Sequence, residues 1–180
     1  MKASEFAKRL LKVGRTKAEL QKAGVTATNV ERFFSAFRCV ERQGDGDHED
    51  ATDEAVSFVS HWDASTVEIG AVRFLIRASK SLHGSQIGVV NGDPLVVRSN
   101  GAVVVVDSNA PSHVLWPAAE SGGKLLDALL VSAQFFAKRM VGEVDFDDRG
   151  AARIEAKRCS DAAGGADYYP FFSMLLGAET

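Results

Sequence analysis

Apolar and polar positions along the chain change period twice. From residue 4 to residue 38 the apolar positions recur at helical spacing. Phe6, Leu10, Leu11 and Val13 predict a helix over residues 4–13, with Ser4 as its cap and Gly14 as its stop. A short helix follows over 16–23, ahead of Gly24. A stronger one spans 28–38, where Thr28 and Glu31 have capping-box spacing. Val30, Phe33, Phe34 and Phe37 form its apolar stripe, which predicts that all four dock on a core.

The period then shortens to that of strands. Val56, Phe58 and His61 or Trp62 predict a first strand, and 66–69 and 72–77 two more. The clearest run is SQIGVVNGDPLVVRSNGAVVVVDSN, residues 85–109. It predicts strands at 86–90, 95–98 and 102–107, with a turn at Asn91-Gly92-Asp93-Pro94. Asn100-Gly101 supplies a type I′ hairpin signal. Val103 to Val106 are continuously apolar, which predicts a central strand covered on both faces. The carboxylate of Asp93 is expected to lock its turn.

Helical spacing returns after Ser121, with Leu125, Leu126, Leu129, Leu130, Ala133, Phe136, Ala137 and Met140 in one wide stripe over 123–140. A further helix is expected over 149–162. A last one follows, capped by Asp167, with Tyr168, Phe171, Phe172, Leu175 and Leu176 on its apolar face. Helices, then strands, then helices give an α+β fold, a mainly antiparallel sheet flanked by helices. The length of 180 residues suits a single domain over 1–180.

Composition adds one feature. The net charge is only −3, but residues 43–63 carry seven acids (Asp45, Asp47, Glu49, Asp50, Asp53, Glu54 and Asp63) and no Lys or Arg. Residues 43–54 lack apolar periodicity and read as an exposed acidic loop. Its DGDHED run misses the EF-hand glycine and distal glutamate, so no metal is expected. An acidic chain without basic–aromatic clusters argues against direct nucleic-acid binding. The basic amphipathic start has no signal-peptide core, and no stretch is long and apolar enough to span a membrane. A solvated helix face is the expected role of that start, and the cytoplasm the expected location. Two cysteines, Cys39 and Cys159, in no CxxC spacing fit reduced thiols. Arg158 beside Cys159 is too little to mark a nucleophile.

Phosphate-loop, nucleophile-elbow and zincin motifs are absent, and His48, His61, His83 and His113 are scattered. No catalytic residues, cofactor or metal ligands are therefore expected, and the chain reads as a binding module and not an enzyme. The alternative is a small-molecule-binding protein or hydrolytic enzyme with a site near the 91–94 turn, built from Asp93, His113 and loop acids. Trp62 is a candidate aromatic anchor for a partner. The C-terminal aromatic helix offers a surface for a homodimer.

The meander resembles that of the SUKH superfamily of bacterial immunity and cell-wall-regulator-like proteins. The resemblance is carried by Ile87-Gly88, by Asn91-Gly92-Asp93-Pro94-Leu95 and by Asn100-Gly101 through Asp107. Gly88, Gly92, Asp93 and Gly101 are the structural turn residues of this pattern. The leucine-rich helix after Ser121 is similar to the family's closing helix. The resemblance covers residues 26–140, leaving 141–180 as extra C-terminal helices, and an aromatic-proline motif before the first strand is missing. It implies a SUKH-like fold and stoichiometric neutralisation of a toxin protein, a nuclease among the classes it admits. The acids Asp45, Asp47, Glu49, Asp50, Asp53 and Glu54 would then face a basic groove of the partner.

Overall fold

The computed structural model describes residues 1–43 and 53–179. Three helices open the chain: α1 (Ala3–Val13), α2 (Lys17–Lys22) and α3 (Ala27–Ser35). A two-residue strand β1 (Val40–Glu41) pairs with β2 (Trp62–Asp63), and helix α4 (Glu54–His61) directly precedes β2. A six-stranded meander follows: β3 (Glu68–Ile69), β4 (Val72–Ser81), β5 (Gly84–Val90), β6 (Asp93–Val97), β7 (Val103–Val106) and β8 (Val114–Ala119). Spatial order equals chain order and each neighbour is antiparallel. Helices α5 (Gly122–Met140), α6 (Arg149–Ala163) and α7 (Tyr169–Leu176) close the chain. The fold is α+β, an antiparallel sheet flanked by helices.

Alternation along the strands sets what each face does. Leu95 and Val97 of β6, with Val103 and Val105 of β7, join the main core. Val96, Val104 and Val106 point the other way and form a small second cluster with Val114. Strand β7 is thus buried on both faces, as its unbroken valine run predicts. Beneath the sheet, Phe58 of α4 meets Phe6 of α1 edge-on at 4.9 Å and Phe74 of β4 at 5.1 Å. These edge-to-face contacts weld two helices to the sheet.

Both Asn-Gly steps turn the chain, but in different ways. Asn91 and Gly92 have φ of 54° and 98°, and Val90 pairs with Asp93. Two consecutive positive φ values in a two-residue loop are the type I′ geometry. At Asn100-Gly101 only Gly101 is positive, at 86°. Here the Arg98 N–H donates to Ala102 O and the Gly101 N–H to Arg98 O, each at 2.9 Å, closing a three-residue loop. The Asn100 side chain accepts the Ala102 N–H at 3.1 Å and holds Asn100 out of the left-handed region. Gly88 lies inside β5 and not in a turn. A Cβ there would sit 2.6 Å from Arg73 O, beside a register shift.

Several expected elements are corrected. Residues 56–62 form a helix with a strand only at its end: Ala55, Phe58 and Val59 bury one face at helical spacing, and Asp53 caps it. The β-branched valines mislead over so short an apolar run. Helix α3 starts after Thr26 with no side-chain cap, so Thr28 and Glu31 make no capping box. The capping box belongs to α2, between Thr16 and Glu19. Val30 and Phe37 are core, but Phe33 and Phe34 are half-buried. Phe34 instead lies beneath the Arg38 guanidinium, 3.8 Å from its ring centroid. Ser4 and Asp167 cap nothing: the N-caps of α1 and α7 are Lys2 and Tyr168. Strand β8 is without a counterpart among the expected elements. Its Pro117 is tolerated because β8 lies at the sheet's edge. Phe171, Phe172, Leu175 and Leu176 of α7 are spent in the chain's own core, so they are no exposed homodimer face.

Two adjacent acids join three helix starts. Asp53 Oδ1 accepts the Ala55 and Val56 N–H groups at 2.9 and 3.2 Å, while its Oδ2 accepts the Gly122 N–H of α5 at 2.9 Å. Glu54 accepts the Ala3 N–H of α1 at 2.8 Å and the Lys2 ammonium at 2.7 Å. The first N–H groups of a helix lack intrahelical partners and carry partial positive charge, so each carboxylate meets a double need. Gly122 must be glycine, because a Cβ there would lie 1.9 Å from Asp53 Oδ1. Gly122→Ala should therefore destabilise the chain by about 1–3 kcal/mol in urea unfolding. Asp53→Ala should cost about 1–2 kcal/mol. In a double-mutant cycle the Gly122→Ala penalty should shrink once Asp53 is Ala; additive penalties would dissociate the two residues.

Candidate functional site

Of the acids expected to face a partner, Asp45, Asp47, Glu49 and Asp50 lie outside the described residues. Asp53 and Glu54 are at the helix junction, the Asp53 oxygens accepting backbone N–H groups and the Glu54 oxygens the Ala3 N–H and the Lys2 ammonium, so they act inside the fold. Trp62 is half-buried and stacks on Phe58, with centroids 6.0 Å apart and planes 20° apart. Its ring extends the core to the surface.

The constellation around the 91–94 turn does not converge on chemistry. Asp93 accepts the Ser108 N–H at 3.0 Å, tying the start of β6 to the β7–β8 loop and not to its own turn. Asp107 accepts the Asn109 and Ala110 N–H groups. A recess of about 360 Å³ does open beside Asn91 and Gly92, lined also by Arg73, Val89 and Glu68. Glu68 is the one carboxylate in that lining, and general acid–base work needs a second titratable group. Among the described residues no three His, Cys, Asp or Glu side chains are grouped to hold a metal.

An apolar cleft lies next to that recess and shares Glu68 and Gly70 with it. Phe33 and Ala36 come from α3 and the residue after it, Gly70 from the β3–β4 turn, Phe136 and Met140 from α5, and Phe146 from the loop before α6. Gly70, at φ 59°, brings the turn so close to Phe136 that a Cβ would meet the ring at 2.7 Å. The cavity is about 140 Å³, below the roughly 300–1,000 Å³ of small-molecule sites. It suits one inserted side chain. Phe146 is 62% exposed, a large apolar side chain left in water between Asp145 and Asp147. Behind it the Arg139 guanidinium is buried over the Phe135 ring at 4.3 Å and donates to Leu176 O at 2.9 Å. That bond satisfies a terminal carbonyl of α7 and braces the cleft's rear.

The rim is charged. Arg32 grips Glu68 through Nη2 at 2.7 Å and Nε at 3.2 Å, and Arg73 adds a bond at 3.0 Å. The Arg32 bonds hold the Glu68 carboxyl below its ordinary range despite partial burial. Glu68 thus stays ionised and neutralised, a poor general acid or base. One signal for this cleft stands in the sequence: Phe146 is a lone aromatic in the acidic loop EVDFDDRG. The partners it meets come from segments far away in the chain.

Both thiols are free and buried. Burial pushes Cys39 up to about 11 and Cys159 up to about 12. Burial outweighs the lowering effect of Arg158 on Cys159, and the Arg158 Nη1 is held by both oxygens of Glu155 at 2.8 and 2.9 Å.

No family model matches the chain, and no curated protein or solved structure matches it. No helix among the described residues is long and apolar enough to cross a membrane.

Native Cys39 and Cys159 should react with a thiol reagent at least about tenfold more slowly than the unfolded chain. Rapid labelling of the folded protein would contradict their burial. Glu68→Gln should cost up to about 1 kcal/mol at neutral pH, since both arginines are largely exposed. A carboxyl held below its ordinary value stabilises the fold above that value and loses the effect as pH falls through the folded one. The gap between wild type and Glu68→Gln should therefore be constant above 4.5 and close below it. A gap unchanged into acid would sever it from Glu68 ionisation.

Proposed function

We propose that this chain is a protein-binding module of the immunity type, which neutralises a bacterial toxin protein by one-to-one binding with no chemistry of its own. The observation that carries the reading is the cleft of Phe33, Phe136, Met140 and Phe146 behind the Arg32–Glu68–Arg73 rim. An apolar centre sized for one anchor, inside a polar border, is the anatomy of a protein interface hot spot. The SUKH resemblance of the meander supports the same reading and supplies the partner class. Asp45, Asp47, Glu49 and Asp50 add an acidic segment that speeds encounter with a basic partner such as a nuclease. The module would act in the bacterial cytoplasm.

The test is co-purification of the tagged chain with the product of the adjacent gene, followed by the mass of the complex. The expected result is a one-to-one complex in which the partner loses its toxicity. Phe146→Ser and Phe33→Ser should each weaken that complex by about tenfold or more. Leu82→Ser, fully exposed and outside the cleft, should leave it unchanged. Reversing Asp45, Asp47, Glu49 and Asp50 to Lys should slow association about tenfold at low salt and less at high salt. No complex, or one indifferent to Phe146 and Phe33, overturns the reading; an association rate unmoved by the four reversals removes the acidic segment from it.

A further inference from the structure

A second concavity lies away from the cleft, between the end of α1, the start of α2, the last turns of α5 and the side of α6. It measures about 510 Å³ and its lining includes Arg9, Lys12, Arg15, Lys138 and Arg158. We propose that this groove binds a small anion bearing two or more phosphate groups, independently of the protein-binding cleft.

Charge is the first argument. Five cations line the groove against two carboxylates, Glu19 and Glu155. Both carboxylates are committed. Glu19 accepts the Thr16 N–H at 2.8 Å and the Thr16 hydroxyl at 2.7 Å as part of the α2 cap. Glu155 holds Arg158 through both oxygens. Arg9 pairs with Glu5 and Arg15 with Glu143. Among the described residues Lys12 and Lys138 have no acidic partner, and both are exposed. The C-terminal ends of α1 and α5 each return roughly half a negative charge. With these four acids and the helix ends counted the groove is close to neutral overall, and what it offers an anion is the two unpaired ammonium groups of Lys12 and Lys138.

Donor geometry is the second. Among the described residues Arg15 Nε is shielded from solvent without an acceptor, and a buried donor left unpaired is costly. Arginine forks and mobile lysine ammonium groups together match phosphate oxygens. The volume falls within the roughly 300–1,000 Å³ typical of small-ligand sites.

Larger anions fit less well. A membrane-surface helix presents its apolar face to lipid, but Ala3, Phe6, Ala7 and Leu10 of α1 are buried in the core. A long nucleic acid would meet a chain whose net charge is −3, so its phosphates beyond the groove would be repelled.

The test is calorimetric titration of the full chain at low ionic strength with inorganic pyrophosphate and, separately, with ADP. Sedimentation with phosphatidylglycerol vesicles forms a third arm. One-to-one binding of at least one free phosphate compound with Kd below about 1 mM is expected. It should weaken at least about tenfold in the Lys12→Gln/Lys138→Gln double variant and in raised salt. Pyrophosphate binding as tightly as ADP would assign recognition to the phosphates alone, and tighter ADP binding would add a nucleoside. No saturable heat with either compound, an affinity unchanged in the double variant, or binding to vesicles alone overturns the proposal.

Discussion

The arrangement of this fold hangs on the sharing of two neighbouring carboxylates among three helix starts. Asp53 and Glu54 receive N–H groups from α4, α5 and α1, of which α5 follows the six-stranded sheet in sequence and the other two precede it. A helix start buried without partners would leave donors unsatisfied. Local caps supply part of the need, as Ser121 does for Lys124 of α5. The remainder comes from residues 51 and 69 positions away, so capping here is tertiary structure. For Glu54, partial burial favours the neutral acid, but the bonds from Lys2 and Ala3 more than reverse this and hold it charged. Packing and electrostatics agree: the acids fix where the helices begin, and Phe58, Phe6 and Phe74 fill the space behind them.

With the helices fixed on one side, the sheet can be a plain meander. Each strand neighbours the next in sequence, so its pairings are set by short turns and by which residues face the core. Gly88 allows the bulge that brings β4 close, and Gly70 folds the short β3 onto β4 against Phe136. That turn, the end of α3 and the last turns of α5 then leave a gap of about 140 Å³. Phe146 stands at its mouth because the loop carrying it spans from α5 to α6. The cleft is where three elements fail to close completely, and the Arg32–Glu68–Arg73 bridge holds its edge.

Much of the fold was legible because period is a local property. The meander from 86 to 107, the stripe of α5 and the stop at Gly14 follow from spacing and turn chemistry alone. The failures share a cause. Val56 to Trp62 is too short for its period to separate helix from strand, and its helix starts on the Asp53 cap of Ala55 and Val56. Thr28 and Glu31 had the spacing of a capping box, but the N-cap is Thr26, two residues earlier. Asn100 and Asn91 precede identical glycines, yet their loops differ in length and in φ at the Asn, and the Asn100 side-chain bond to Ala102 is found in one of them alone. The site was less legible still. The acidic segment is conspicuous in composition, yet Asp53 and Glu54 serve the interior. Phe33, expected in the core, lies in the cleft wall. Side chains brought together from four segments leave no pattern along the chain.

The shared acids also set an order of assembly. Helix α1 leaves the ribosome roughly 120 residues before α5 begins, about 6–24 s earlier at ordinary rates of synthesis. During that interval its apolar face of Phe6, Ala7 and Leu10 has no α5 to cover it. Until translation passes Gly122 that face has α4 and the early strands as its only cover from the main core, which makes α1 a natural handhold for a ribosome-associated chaperone.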